Sequence, residues 1–197
     1  MADTGWLTAG NVTNDTTGVF GDGSEVAWSN PTNAEADDGS YATSAVPNTS
    51  QALYGDTFGA SVPTGATING IETLIQIHFG GGIMGASANH EYWRLSPDGS
   101  VGSSTAHDGG GGVTTSSESS ITRGGASDLW AETLTSTICN SGAFGFMMSV
   151  TSGGMAGTTY IDVMQIKITY TESAGSSIVN IESTHRGVHR GVLRGAA

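Results

Sequence analysis

Apolar residues recur at every second position in several stretches of this chain, the period of a strand with one buried face. In the first, Ile71, Thr73, Ile75, Ile77 and Phe79 share a face; Glu72, Gln76 and His78 share the other, with Leu74 as the exception. Phe144, Phe146, Met148 and Val150 repeat the pattern. Tyr160, Met164, Ile166, Ile168 and Tyr170 repeat it again, opposite Gln165, Lys167, Thr169 and Thr171. Shorter strands are predicted around Val26 and Trp28, over Tyr41 to Val46, Leu53 to Phe58 and His90 to Leu95. Turn signals separate them, among them Asn30-Pro31, Asp37-Asp38-Gly39, Pro63-Thr64-Gly65 and Asn69-Gly70. Pro63 fixes φ ahead of a turn, and Gly65 and Gly70 accept positive φ. A bulge at Asn69-Gly70 would let Ile68 and Ile71 both enter the core. Helical periodicity is confined to Asp128 to Leu134, which fits one or two turns capped by Ser127 or Asp128, or equally a strand.

About eight short strands with polar, Gly-rich connections predict an all-β, antiparallel β-sandwich or barrel. Its expected core is Val26, Trp28, Ile71, Ile75, Ile77, Phe144, Phe146, Met148, Ile166, Ile168 and Tyr170. The chain divides into an N-terminal segment (1–19), one domain (20–172), and a linker with an extended tail (173–197). Two low-complexity runs, Phe79 to Ala88 and Gly99 to Gly125, read as exposed loops.

Charge narrows the function. Of 18 acidic and six basic residues, 17 and three fall within residues 1–172, and the net charge is −12. That surface repels phosphate backbones, so nucleic acid is not an expected partner of the domain. Cys139 is the only cysteine, which excludes a disulfide framework and points to a small buried hydrophobe. The start MADTGWLTAG lacks a basic, then apolar, signal sequence, and no apolar run is long enough to cross a bilayer. Synthesis in a cytoplasm without membrane attachment is the expectation.

Catalytic signatures are absent. No nucleophile elbow or phosphate-binding glycine loop occurs. His90-Glu91 and His107-Asp108 lack zinc spacing, and the acidic turns at Asp22, Asp37-Asp38 and Asp98 lack the alternating pattern of a calcium loop, so neither a metal nor a cofactor is expected. Trp28 and Trp93 belong to predicted strands. Trp6 and Trp130, if exposed, would serve as sugar platforms, which makes a carbohydrate-binding module one alternative function.

Four segments carry a resemblance: AWSNPTNAEADDGSYATSAV (27–46), FGASVPTGATINGIETLIQIH (58–78), LWAETLTSTICNSGAFGFMMSV (129–150) and TYIDVMQIKITYTE (159–172). Their order and spacing resemble the jelly-roll structural proteins of tailed phages, including capsid decoration (cement) proteins and tail-associated proteins. The resemblance implies a jelly-roll sandwich and a non-enzymatic virion component. Its leading form is a decoration protein that binds the major capsid protein on the outer head as a homotrimer and stabilises the shell. A tail or fibre protein that contacts a host receptor is the alternative. Residues 83–123 depart from the pattern.

The tail lies outside the resemblance. Residues 184–195 repeat basic, Gly and aliphatic residues every four positions. A helix there would carry a glycine each turn, at about 1 kcal/mol apiece, so an extended strip is expected. In that strip Arg186, Val188, Arg190, Val192 and Arg194 face one way, suited to a partner's sheet edge or an acidic groove. With Trp6, these are the expected partner-binding residues. The bland alternative is a solvated chain end.

Overall fold

The structure is a computed structural model, which describes residues 1–15, 25–46, 49–81, 83–100, 107, 109, 112–114, 116–155 and 157–173. Ten strands form there: β1 (Ala2–Asp3), β2 (Leu7–Thr8), β3 (Asn11–Asp15), β4 (Ala42–Val46), β5 (Ala52–Asp56), β6 (Thr67–Gly80), β7 (Ile83–Ser96), β8 (Ser119–Gly124), β9 (Gly145–Met155) and β10 (Gly157–Thr171). In the first sheet β10 is central. β6 pairs along one side of it and β1, β2 and β4 share the other, while β8 adds beyond β6. The second sheet has the order β3-β5-β9-β7. All strand ladders are antiparallel.

The alternation works as expected on β6 and on β10 from Met164 on; Tyr160, expected on the face of Met164, lies on the other face because a register shift between Ile161 and Met164 reverses the phase. Ile71, Ile75 and Ile77 of β6 and Ile161, Met164, Ile166 and Ile168 of β10 are buried, and they join Leu53, Trp93, Leu95, Phe146 and Met148 from the second sheet in one core. Trp28 and Phe144 are buried with them, whereas Tyr170 is partly buried at the edge and Val26 is half-exposed. Val26 misses the core because the stretch around it makes only isolated bridges, to Ser50 and, through Ser29, to Thr43, instead of a strand. Cys139 is buried, and burial pushes its thiol up to about 12, so it is an inert packing residue.

Other differences have local causes. Residues 2–15, set apart by the sequence, pair within both sheets as β1, β2 and β3. The run from Phe79 to Ala88 is mostly strand, broken by a turn at Gly81 with φ 76°. The helical turn falls at Ser136–Cys139 (α1) instead of Asp128 to Leu134, because Thr135 caps it by accepting the Ile138 amide at 3.2 Å. Among the described residues no helix is long and apolar enough to cross a membrane.

The bulge at Asn69-Gly70 is present: Gly70 pairs with Thr169 and Ile68 with Tyr170, leaving Asn69 extra. Gly65 has φ 78°, but Gly70 is required for a different reason than backbone freedom. The turn after β8 folds onto it, and a Cβ there would run into the backbone of Gly125 and Ala126. This turn is held by Ile71, whose amide donates to Asp128 O at 2.9 Å and whose carbonyl accepts from Gly125 N and Trp130 Nε1, both at 3.1 Å. We predict that Gly70→Ala destabilises the fold by about 1–3 kcal/mol, the cost of overpacking a rigid contact, measurable by urea denaturation. A change below 0.5 kcal/mol in order of magnitude, as at an open surface site, would contradict the contact.

Candidate binding face on the first sheet

The outward face of the first sheet gathers polar and aromatic residues from four separate parts of the chain. Its organising feature is a bulge in β10: Ile161 pairs with Ile77 and Met164 with Ile75, so Asp162 and Val163 together oppose Gln76. The bulge turns Asp162 outward, yet leaves it 2 % exposed beneath the loop that precedes β4. That loop is shaped by the Asn-Pro-x-Asn-Ala motif. Asn30 takes the left-handed conformation, φ 52°, that Asn tolerates better than most residues; Pro31–Ala34 form a 3-10 turn; and Asn33 Nδ2 donates to Tyr41 O at 3.2 Å. The loop then delivers the amides of Asp38 and Gly39 to the Asp162 carboxylate at 3.1–3.3 Å.

Two more carboxylates converge there. Side-chain oxygens of Asp37, Glu118 and Asp162 lie within 4.8 Å of one another. Gln76 Nε2 donates to Asp37 Oδ2 at 2.9 Å. Glu118 lies beside both Asp162 and Tyr41. Beside the acids, His78 stacks on Tyr160 with ring centroids 4.4 Å apart, and Tyr41 stands edge-on to both at 4.7 and 5.7 Å.

The electrostatics follow from crowding like charges. Desolvation, then the Asp162 charge and hydrogen bond and the Asp37 charge, raise Glu118 above the ordinary carboxylate range. Desolvation and the same three acids raise the Tyr41 phenol. Burial lowers His78, opposed by Asp162. The donor set is all oxygen, the chemistry of a hard cation such as calcium, but Asp162 is already met by two amides and Asp37 by Gln76. It therefore stands as a structural clamp between β10, the pre-β4 loop and the approach to β8.

The residues expected from sequence fall elsewhere. Trp6 is 38 % exposed, on the same sheet, with Lys167 Nζ 4.8 Å above its ring and Lys167 bound to Glu72 at 2.7 Å. Trp130 is fully buried, its indole committed to Ile71 O, so it is no sugar platform. Asp37-Asp38-Gly39 and Asp98-Gly99 are turns as read, and Asp98 caps its own by accepting Ser100 N at 3.0 Å. Of the pairs His90-Glu91 and His107-Asp108, the Glu91 side chain and Asp108 lie outside the described residues; His107 pairs with Asp128 at 3.0 Å, and His90 is buried. Arg186, Val188, Arg190, Val192 and Arg194 lie outside the described residues, as does Asp22. Glu118 and Asp162 were not singled out. The one available signal for Asp162 was an acid inside an otherwise apolar strand.

No family model matches this chain, and neither a curated protein nor a solved structure matches it at a significant level. The clamp gives its own test. Folded Glu118 keeps its proton to higher pH than unfolded Glu118, so its contribution is full below about 4.3 and lost as pH rises through the raised value. The stability of wild type minus that of Glu118→Gln should therefore fall by about 0.5 kcal/mol from pH 4 to pH 8, the scale of a partly solvated pair. A difference that stays constant or rises would contradict the crowding.

Proposed function

We propose that the sandwich is a jelly roll and that the chain is a non-enzymatic virion protein, a decoration protein that binds the outer capsid and stabilises it. The observation that carries this reading is the strand order. From β4 onward the chain alternates between sheets, and β4-β10-β6-β8 faces β5-β9-β7. First and last strands of that series are neighbours, as a double Greek key requires. Val113 bridges Ala88 on the free edge of β7, where an eighth strand of such a roll belongs. β1, β2 and β3 extend the roll at its N-terminal side.

The resembling segments also coincide with this frame: 27–46 leads into β4, 58–78 into β6, 129–150 spans α1 and the start of β9, and 159–172 is β10. Their polar and Gly residues are the turn and bulge positions just described, so the resemblance lies in the parts that define the fold. With a clamp of self-satisfied acids and no nucleophile beside a base among the described residues, recognition by surface is the simplest use of the domain.

Attachment is assigned to the tail. At about 3.3 Å per residue, an extended 25-residue segment reaches roughly 80 Å, enough to lie across a neighbouring capsid subunit or a second copy in a homotrimer. Its three arginines suit carboxylates there. The test uses heads assembled without the protein, to which full-length chain or a chain ending at Glu172 is added. Full-length protein should co-sediment, and the truncated chain should bind at least tenfold more weakly, about 1.4 kcal/mol, while keeping its thermal transition. Undiminished binding by the truncated chain would move attachment to the domain itself, with Trp6 and Lys167 next in line. Failure of the full-length chain to bind any head would remove the capsid reading.

A further inference from the structure

Two hydroxyls face each other inside the sandwich. Ser44 of β4 and Thr159 of β10 are directly opposite in their ladder, and they are 1 % and 0 % exposed. Both point inward, because Ala42 and Ile161, two positions away and also opposite each other, belong to the core. On the other side of β10, Thr159 opposes Phe79 and Ile161 opposes Ile77. This end of the first sheet therefore presents two inward rows, Ala42-Ile161-Ile77 and Ser44-Thr159-Phe79. Only the second carries polar side chains.

Among the described residues neither hydroxyl oxygen has a hydrogen-bonding partner, and the two do not bond each other. Strand formation asks for neither of them. Ala and Val would fill the two positions with nearly the same shape and bring no polar atom to be desolvated. Each hydroxyl can donate one hydrogen bond and accept others, so the opposed pair is a small two-sided polar site in an apolar surround.

Its dimensions select the ligand. Residues directly opposite in an antiparallel pair hold their Cβ atoms about 4.5–5.5 Å apart. A molecule making one bond of about 2.8 Å to each oxygen joins oxygens up to about 5.6 Å apart. It must both donate and accept, and it must be neutral, since no ionisable group stands in either row. It must also be small enough for an interior packed with Ile77, Phe79 and Ile161. Water meets all of these conditions.

We propose that Ser44 and Thr159 form an internal binding site for one water molecule, which bridges β4 to β10 from within the core. The bridge bears on the outer face as well. β4 follows the loop that carries Asp37, Asp38 and Gly39, and β10 carries Asp162. The amides of Asp38 and Gly39 tie that loop to Asp162 from outside, and the bridging water ties the strand that follows it to β10 from inside. The site is independent of any capsid partner.

A high-resolution crystal structure of the full chain and a double-mutant cycle test it together. Density should show one water about 2.6–3.1 Å from both oxygens. Hydroxyls turned to bond each other, or no density between them, would overturn the site. In urea denaturation Ser44→Ala and Thr159→Val should each lower the folding equilibrium constant about tenfold, because each leaves the water and the other hydroxyl short of a partner. The double variant should lose about fivefold less than the product of the two single losses. Losses that simply multiply would contradict a shared ligand. If either single variant fails to fold, the wild-type density decides alone.

Discussion

The antiparallel pairing of β6 with β10 is the constraint from which the rest of the molecule follows. These are the longest strands that lie side by side, 14 and 15 residues, and their register runs from Thr67–Thr171 to Gly80–Thr158. Together their inward residues form one wall of the core. Every other strand of that sheet pairs with one of the two, and the second sheet packs Trp93, Phe146 and Met148 against the wall. Two bulges interrupt the ladder, and each has a consequence. The one at Asn69 lets the turn after β8 and Trp130 settle onto Ile71. The one at Asp162 and Val163 rotates a carboxylate to the outer face.

That second bulge explains why acids and rings meet outside a sheet whose other face is mostly apolar. A carboxylate in mid-strand would be costly if buried without partners; here two loop amides receive it, and the loop in turn is positioned by Asn30, Pro31 and Asn33. Asp37 and Glu118 then approach a charge that is already fixed. Desolvation, and after it the Asp162 charge beside it, raise Glu118 above the ordinary carboxylate range. His78, Tyr160 and Tyr41 pack around it as neighbours on three adjacent segments.

Period-two alternation made the wall legible: the inward residues of β6, of β9 and of β10 from Met164 on could be read from spacing alone, and so could the extra residue at Asn69. The bulge at Asp162-Val163, in contrast, shifts the phase, so that Ile161 and not Tyr160 enters the core. β1 and β2 could not, because two-residue strands have no period to detect. β8 was hidden for another reason. It is an edge strand whose residues are exposed or only half-buried, so Ser, Thr and Arg there look like loop. Trp130 looked undecided because its burial depends on a turn made by Gly124 and Gly125, not on its neighbours in a strand. The clamp was illegible as a unit. Asp37, Glu118 and Asp162 are spread over 125 positions, and only the bulge and the sheet order bring them together.

The reading of the whole chain as a capsid decoration protein joins a roll-like strand order to a basic tail on an otherwise acidic domain. Its most direct test is stoichiometry: quantitative mass spectrometry of purified particles, with the chain counted against the major capsid protein. A decoration protein should appear in a fixed ratio to that shell protein, hundreds of copies per head. A handful of copies, or presence only in tail fractions, would contradict it.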